Sequence, residues 1–266
     1  MSDLKNTLSA WAYVKKPYPD LALASPFETV SSLPNGFARE TVDTLGRWIV
    51  NDRFPPDDVI PTEAQLVETL GVSRATLRDA IKVLSGKGLV RTARRYGTRV
   101  TPVDEWNLLD GDVVGWHHSD HPRMRRIFAE TTEVRTILEP AAAELAAHRA
   151  TEAQRATILS AAGTMHPETG DVAALFHADC TFHLTILEAT RNQVMQQMRQ
   201  LVLTTLRVSY EYGVKRPSHD PVSRAGHLKV AEAIAAHDGP AAREAMAAML
   251  SRNARIAQSY WREVTE

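Results

Sequence analysis

Residues 61 to 84 spell two short helices separated by a tight turn, and this stretch constrains the fold more than any other. Thr62 can cap the first helix, and Gly71 can adopt the left-handed conformation that ends it. Ser73 can then cap a second helix at once, and apolar residues recur at helical spacing along both segments. Two short helices joined in this way predict a helix-turn-helix.

Basic residues are concentrated in the second helix and just after it. The whole chain has a net charge of −1, yet residues 73 to 99 contain eight Lys or Arg and a single acid, Asp79. A basic segment within a near-neutral chain indicates one face built for phosphates, so double-stranded DNA is the predicted partner. The alternative is a solvated basic helix that has no partner.

Residues 87 to 100 predict a β-hairpin with a basic tip. Apolar residues stand at the outer ends of both strands, and Gly97 permits a tight turn between them. Arg94 and Arg95 would lie at the tip. Such a tip can enter a narrow minor groove while the second helix reads base edges in the major groove.

Together these residues resemble the GntR family of bacterial transcription regulators. The pieces P-x-E-x-x-L, G-V-S-R-x-T-x-R-x-A, G-L-V and G-T-x-V follow one another from residue 61 to residue 100. The family often carries Arg after its Glu, and Ala64 stands there instead, which would remove one contact. The resemblance implies a winged helix-turn-helix over residues 36 to 102. The predicted DNA-binding residues are Ser73, Arg74, Thr76, Arg78, Arg94, Arg95 and Gly97.

The rest of the 266-residue chain is long enough for a second domain. From about residue 123 the pattern is helical throughout and predicts an all-α bundle, so the fold class is mostly α. Helices are predicted near 123–149, 152–163, 171–188, 192–213, 219–236 and 239–263. Their number and position resemble the FCD effector domain of the FadR subfamily, here over residues 123 to 266. Residues 103 to 122 are expected to be a linker, and residues 1 to 35 an N-terminal extension.

Asp179 and His183 are four residues apart and project from one face of a predicted helix. His227, in another helix, can supply a second imidazole. These three positions resemble the ligands of metal-binding FCD domains, which carry a further His where this chain has Met249. A neutral thioether binds Zn²⁺ poorly, so the prediction is a divalent metal held by three residues and completed by an effector. The alternative is that the same three residues hydrogen-bond the effector without a metal.

Two arginines complete the predicted effector site. The resemblance places Arg135 inside the domain, where a buried guanidinium needs a carboxylate partner, and this favours an anionic effector. Arg207 is a weaker candidate for the same pocket, and a surface position is equally open.

The connector and first effector-domain helix resemble those of repressors of galactonate and related hexonate catabolism. The resemblance implies a homodimeric repressor that a sugar acid releases from its operator, with lactate, glucuronate or dicarboxylates as alternative effectors. A metal-dependent enzyme, or Cys180 acting with His183, is a further alternative, but no catalytic motif accompanies these residues. Because it lacks such a motif, the protein is expected not to be an enzyme. Without a signal-like or membrane-spanning run, and with one cysteine, it is expected to be cytoplasmic.

Overall fold

The computed structural model describes residues 37–118, 121–165, 171–213 and 224–265. The predicted extension, residues 1 to 35, lies outside the described residues. Within the described part the chain is mostly helical, with one small two-stranded sheet near the N-terminal end. This confirms the predicted fold class of a winged helix-turn-helix followed by a helical bundle. Within the same ranges, every helix is too short or too polar to cross a membrane.

Three helices form the first part of the fold: α1 (Phe37–Val50), α2 (Glu63–Leu70) and α3 (Arg74–Gly86). The Thr62 hydroxyl accepts the N–H of Gln65 to cap α2, and the Gln65 side chain returns to the Thr62 backbone. Gly71 ends α2 with a φ of 66°. Ser73 caps α3 by accepting the Thr76 N–H at 3.1 Å. The predicted helix-turn-helix therefore forms through its predicted caps.

The wing is the antiparallel hairpin of β1 (Val90–Ala93) and β2 (Gly97–Val100). Val90 pairs with Val100 and both are buried, which ties the hairpin to the helices beneath it. At the tip, Arg95 has a φ of 73° and Gly97 a φ of 79°, so two left-handed residues reverse the chain. The segment before α2 adds a bridge from Val59 to Arg99.

The described part of the predicted linker, residues 103–118 and 121–122, is structured and packs on the winged helix. It contains a 3₁₀ turn (Val103–Glu105) and a short helix, α4 (Gly111–Gly115). The buried ammonium of Lys87 lies 2.6 Å from an Asp110 oxygen and 2.8 Å from an Asp112 oxygen. The second oxygen of Asp110 caps α4. Lys87 is thus part of a buried ion pair that joins the end of α3 to α4, and it is not available to DNA phosphates.

Trp116 fixes the end of α4 against α1. Its indole N–H donates to Asp43 at 2.9 Å, and its backbone oxygen accepts from the Asn51 amide at 2.9 Å. The ring lies so close to Gly46 that a Cβ at that position would overlap it. A little further along, Arg123 donates to the Val50 backbone oxygen at 2.7 Å. The start of the helical bundle is therefore attached directly to the winged helix.

Seven helices form the described part of the bundle, and they lie close to the predicted positions. They are α5 (Pro122–Arg149), α6 (Glu152–Gly163), α7 (Val172–Ala189), α8 (Gln193–Gln197), α9 (Arg199–Gly213), α10 (Arg224–Ala235) and α11 (Gly239–Thr265). The long helices α5 and α11 pack along each other, and α7 contacts α5, α6 and α9. A core rich in Ala and Leu fills the space between them.

One predicted helix, 192–213, is divided in the structure. Asn192 caps α8 with its side-chain oxygen, α8 ends after five residues, and α9 begins at Arg199. Met198 forms the turn between them without a Gly or Pro, so the sequence carried no signal for the break.

We predict that Gly46→Ala destabilises the protein although Ala is normally preferred inside a helix. The added methyl group would overlap the Trp116 ring, and overpacking of this kind costs about 1–3 kcal/mol. Chemical denaturation should show a lower unfolding midpoint. The control is Gly86→Ala, where an added Cβ has no atom within 4 Å, and which should be neutral or slightly stabilising. Equal stability of the two variants would contradict the tight contact.

Candidate functional sites

The recognition helix α3 and the wing carry the predicted DNA-binding residues. Arg74, Arg94 and Arg95 are exposed, as are Ser73 and Gly97. Thr76 is half-buried, and its hydroxyl is 2.8 Å from that of Ser73. The structure therefore places exposed basic side chains on the recognition helix and at the wing tip.

Most of the other basic residues in this segment already have acidic or carbonyl partners. Lys82 pairs with Asp79, Arg91 with Glu105 at 2.7 Å, and Arg99 donates to the Asp57 backbone oxygen. These contacts are exposed and individually weak, so they organise the surface more than they stabilise it. Fewer basic side chains are therefore free to contact DNA than the number of Lys and Arg in this segment suggests.

Arg78 is held by Glu63 across the helix-turn-helix. The Arg78 Nε donates to Glu63 Oε2 at 3.1 Å, while 66 % of the Arg78 side chain stays exposed. The other carboxylate oxygen of Glu63 is buried and lacks a hydrogen bond among the described residues. Glu63 was recognised in the sequence only as a motif residue, because its partner lies fifteen positions away on the next helix. Its position indicates a role in aiming Arg78.

In the helical bundle, Asp179, His183 and His227 come together at one point. Asp179 and His183 are on α7, and His227 is on α10. The Nε2 atoms of His183 and His227 lie 3.2 Å and 3.1 Å from the same Asp179 oxygen, Oδ1. All three side chains are buried, with at most 4 % of each residue exposed. Residues far apart in sequence thus form one compact donor cluster.

The donor set fits a divalent metal. One ligand atom from each of the three residues lies within 4.8 Å of the others. Ligand atoms at about 2.0–2.1 Å from a tetrahedral zinc ion are about 3.3 Å apart, which is close to the two observed separations. Two imidazoles and a carboxylate are common zinc ligands that leave an open position for a small molecule. The cluster therefore has the donor atoms and the spacing to hold a divalent cation.

Glu139 is a functional candidate that no sequence pattern indicated. It is on α5, only 2 % exposed, and it accepts hydrogen bonds from Nε and Nη2 of Arg135. Its Oε2 also lies 2.7 Å from His183 Nδ1, at an angle away from that of an ideal hydrogen bond. Arg135 Nη2 is in turn 3.3 Å from His183 Nε2. The buried Arg135 therefore has a carboxylate partner within the chain itself.

The pKa values reflect these contacts. Burial alone would raise the pKa of Glu139, but Arg135 and His183 outweigh it and lower the pKa to about 2. Burial likewise opposes ionisation of Asp179, and the hydrogen bonds and charges of His183 and His227 hold its pKa well below the usual range. Burial would lower the pKa of His183, yet Glu139 and Asp179 raise it. Both carboxylates are therefore charged at neutral pH.

Three further residues named from the sequence, Arg207, Met249 and Cys180, are not part of this cluster. The Arg207 guanidinium lies against Gly115 of α4, next to the winged helix. Met249 is partly buried and packs against the apolar core of the bundle. Cys180 is fully buried, and burial together with the Asp179 charge raises the pKa of its thiol, which weighs against a nucleophilic role.

The fold and the two sites define a DNA-binding regulator with a separate helical domain. Two family models match the chain: "Bacterial regulatory proteins, gntR family" over residues 37–100 and "FCD domain" over residues 130–252. The protein belongs to the GntR family of transcription regulators and carries an FCD domain.

Curated relatives support this assignment, and a solved structure shares the fold. The galactonate operon transcriptional repressor of Escherichia coli strain K12 is 33 % identical over 80 % of this chain and 93 % of its own length. The Glc operon transcriptional activator of the same strain is 27 % identical over 72 % of this chain and 77 % of its own. The structure of Listeria monocytogenes Lar matches with a TM-score of 0.61 at 18 % identity, over 85 % of this chain and 98 % of Lar. Lar supports the fold alone.

We predict that Glu63→Gln lowers the preference of the protein for its operator over random DNA by about tenfold. The substitution releases Arg78 from its carboxylate, and a correctly aimed basic side chain accounts for about 1–3 kcal/mol of discrimination. Binding to both DNAs is measured by fluorescence anisotropy at fixed salt.

Glu68→Gln is the matched control, because Glu68 is exposed on the same helix and its loss changes the net charge equally. If both variants change operator and random-DNA affinity in the same way, the effect is one of net charge, and Glu63 has no positioning role.

Proposed function

We propose that this protein is a homodimeric repressor of a sugar-acid catabolic operon, and that the acid releases it from DNA by binding at the buried Asp179, His183 and His227 cluster. The observation that carries the proposal is this cluster, a buried set of metal-type donors inside a domain that is attached to a DNA-binding head. The similarity to the galactonate operon repressor supports a galactonate-like acid.

In this proposal a divalent cation such as Zn²⁺ is bound by Asp179, His183 and His227. When bound, the cation supplies positive charge and an open coordination position for an effector oxygen. The protein supplies the ligands for this cation. The imidazoles of His183 and His227 are buried away from water, and the Asp179 carboxylate is already ionised. Met249 adds no competing charged donor.

Two buried hydroxyls favour an effector that carries hydroxyl groups of its own. The side-chain oxygens of Thr132 on α5 and Thr204 on α9 have no hydrogen-bond partner among the described residues. Their neighbours behave differently, since Thr131 donates to the Ile127 carbonyl and Thr205 to the Leu201 carbonyl. Thr132 is three residues before Arg135, on the same face of α5. Unused buried hydroxyls are suited to the hydroxyls of a sugar acid.

The same architecture serves a second candidate, an activator that responds to another organic acid. Its support is the similarity to the Glc operon transcriptional activator. In both versions, two recognition helices of a dimer would contact a pseudo-palindromic operator, and the acid would prefer one of two dimer states. Linkage then requires operator DNA and effector to change each other's affinity by the same factor.

The first test is release of the protein from its operator by galactonate and a panel of other organic acids, with Zn²⁺ present. We expect His183→Ala to need at least about tenfold more acid for release, because loss of a ligand weakens the cluster. His177→Ala is the matched control, since His177 is exposed on the same helix. Normal release from the His183→Ala variant would contradict the site.

We also predict that Arg74→Ala weakens operator binding and leaves metal and acid binding unchanged. This exposed residue is on the recognition helix, far in the chain from the effector cluster, so operator affinity should fall by about tenfold or more. Calorimetric binding of metal and acid should stay at the wild-type level. Undiminished operator affinity would remove Arg74 from the DNA-binding face.

A further inference from the structure

Glu139 lies between Arg135 and His183, which is one of the three residues of the cluster. On one side it accepts two N–H groups of Arg135, and on the other its Oε2 is 2.7 Å from His183 Nδ1. No side chain in this chain of contacts is more than 3 % exposed. Water therefore cannot replace these contacts at low cost. Glu139 therefore affects ligand binding in two ways, one through the charge of Arg135 and one through the orientation of His183.

The first consequence concerns the charge that an acid would meet. Glu139 neutralises Arg135 and engages two of its N–H donors, and Asp179 adds a further negative charge. With both imidazoles neutral, the cluster carries more negative than positive charge. With His183 protonated, the two signs balance. In neither form does the cluster without a cation attract an anion, whereas a bound divalent cation makes it positive.

The second consequence concerns the orientation of His183. A carboxylate beside Nδ1 favours the proton on that nitrogen, so Nε2 keeps its lone pair, which faces Arg135 Nη2 at 3.3 Å and would bind a cation in place of that contact. Nε2 is the atom that faces Asp179 at 3.2 Å. The ring is also packed edge-on against His227, with their centroids 5.5 Å apart. Glu139 thus helps to direct His183 Nε2 toward the point where Asp179 and His227 also meet.

We propose that Glu139 makes effector binding dependent on the metal: it orients His183 toward the cation and keeps Arg135 from binding the carboxylate of the acid directly. This inference rests on the proposed metal-and-acid site. Glu139 is a positioning residue: it acts through His183 and Arg135, and it contacts neither the metal nor the acid.

Glu139→Gln tests both roles in the full-length protein. The amide keeps the size of the side chain but loses the charge, so Co²⁺ affinity should fall by about 10–100-fold. At the same time, galactonate should bind more tightly than to wild type in the absence of metal, because the Arg135 charge is no longer neutralised. Calorimetry measures both affinities, and the visible absorption of bound Co²⁺ reports a change in coordination that a general loss of stability would not produce.

A double variant, Arg135→Gln with Glu139→Gln, guards against misfolding, since it removes both members of the buried Arg135–Glu139 ion pair and so leaves neither of them without its partner. It should share the weaker Co²⁺ binding and lack the gain in metal-free galactonate binding. Glu144→Gln on the same helix is the control, because Glu144 forms a surface pair with Arg243 and should leave both affinities unchanged.

The outcomes separate the inference from the proposed function. Wild-type Co²⁺ affinity and absorption in both Glu139 variants would overturn the role of Glu139 while leaving the metal site intact. Galactonate binding to metal-free wild-type protein that equals its binding to the Co²⁺ form would overturn the claim of metal dependence. Failure of wild type to bind Co²⁺ at all would overturn the proposed metal site, and this inference with it.

Discussion

A buried row of charged and polar groups is the constraint on which the helical domain depends. Arg135, Glu139, His183, Asp179 and His227 contact one another in that order, and none is more than 4 % exposed. A buried charge without its partner is strongly destabilising, so α5, α7 and α10 must keep the register that brings these groups together. The row therefore favours a single arrangement of the helices that also forms the candidate site.

The same helices are connected to the DNA-binding head by continuous packing. Helix α9 contacts α5, which carries Arg135 and Glu139, and α7, which carries Asp179 and His183, and it also contacts α4. Helix α4 is held to the winged helix by the Lys87 ion pairs and by Trp116 on Gly46. The head is thus not on a free tether, and a small movement of α9 or of the first half of α5 would be passed to α4 and the head. Packed elements of this kind can couple distant sites when they have two arrangements of similar free energy.

The sequence predicted the local structure well because local chemistry decides it. Thr62, Gly71 and Ser73 set the helix ends, and Gly97 sets the wing turn. Glu139 shows where this approach ends. A Glu four residues after an Arg is the usual pattern of an exposed helical ion pair, and only the packing of α7 against α5 reveals that the pair is buried and touches His183. For Lys87, too, tertiary contacts decide whether a basic residue faces DNA or a buried carboxylate.

In the proposed site, affinity and specificity have different sources. A cation at the cluster would attract any small carboxylate, so its charge does not distinguish one acid from another. Discrimination must then come from groups that pair with the rest of the molecule, and a buried hydroxyl left unpaired by the wrong ligand is costly. In this proposal, Thr132 and Thr204 would be such groups, because their buried hydroxyls have no partner in the described part of the bundle. Relatives that share the cluster but differ at these two positions are accordingly expected to accept different acids.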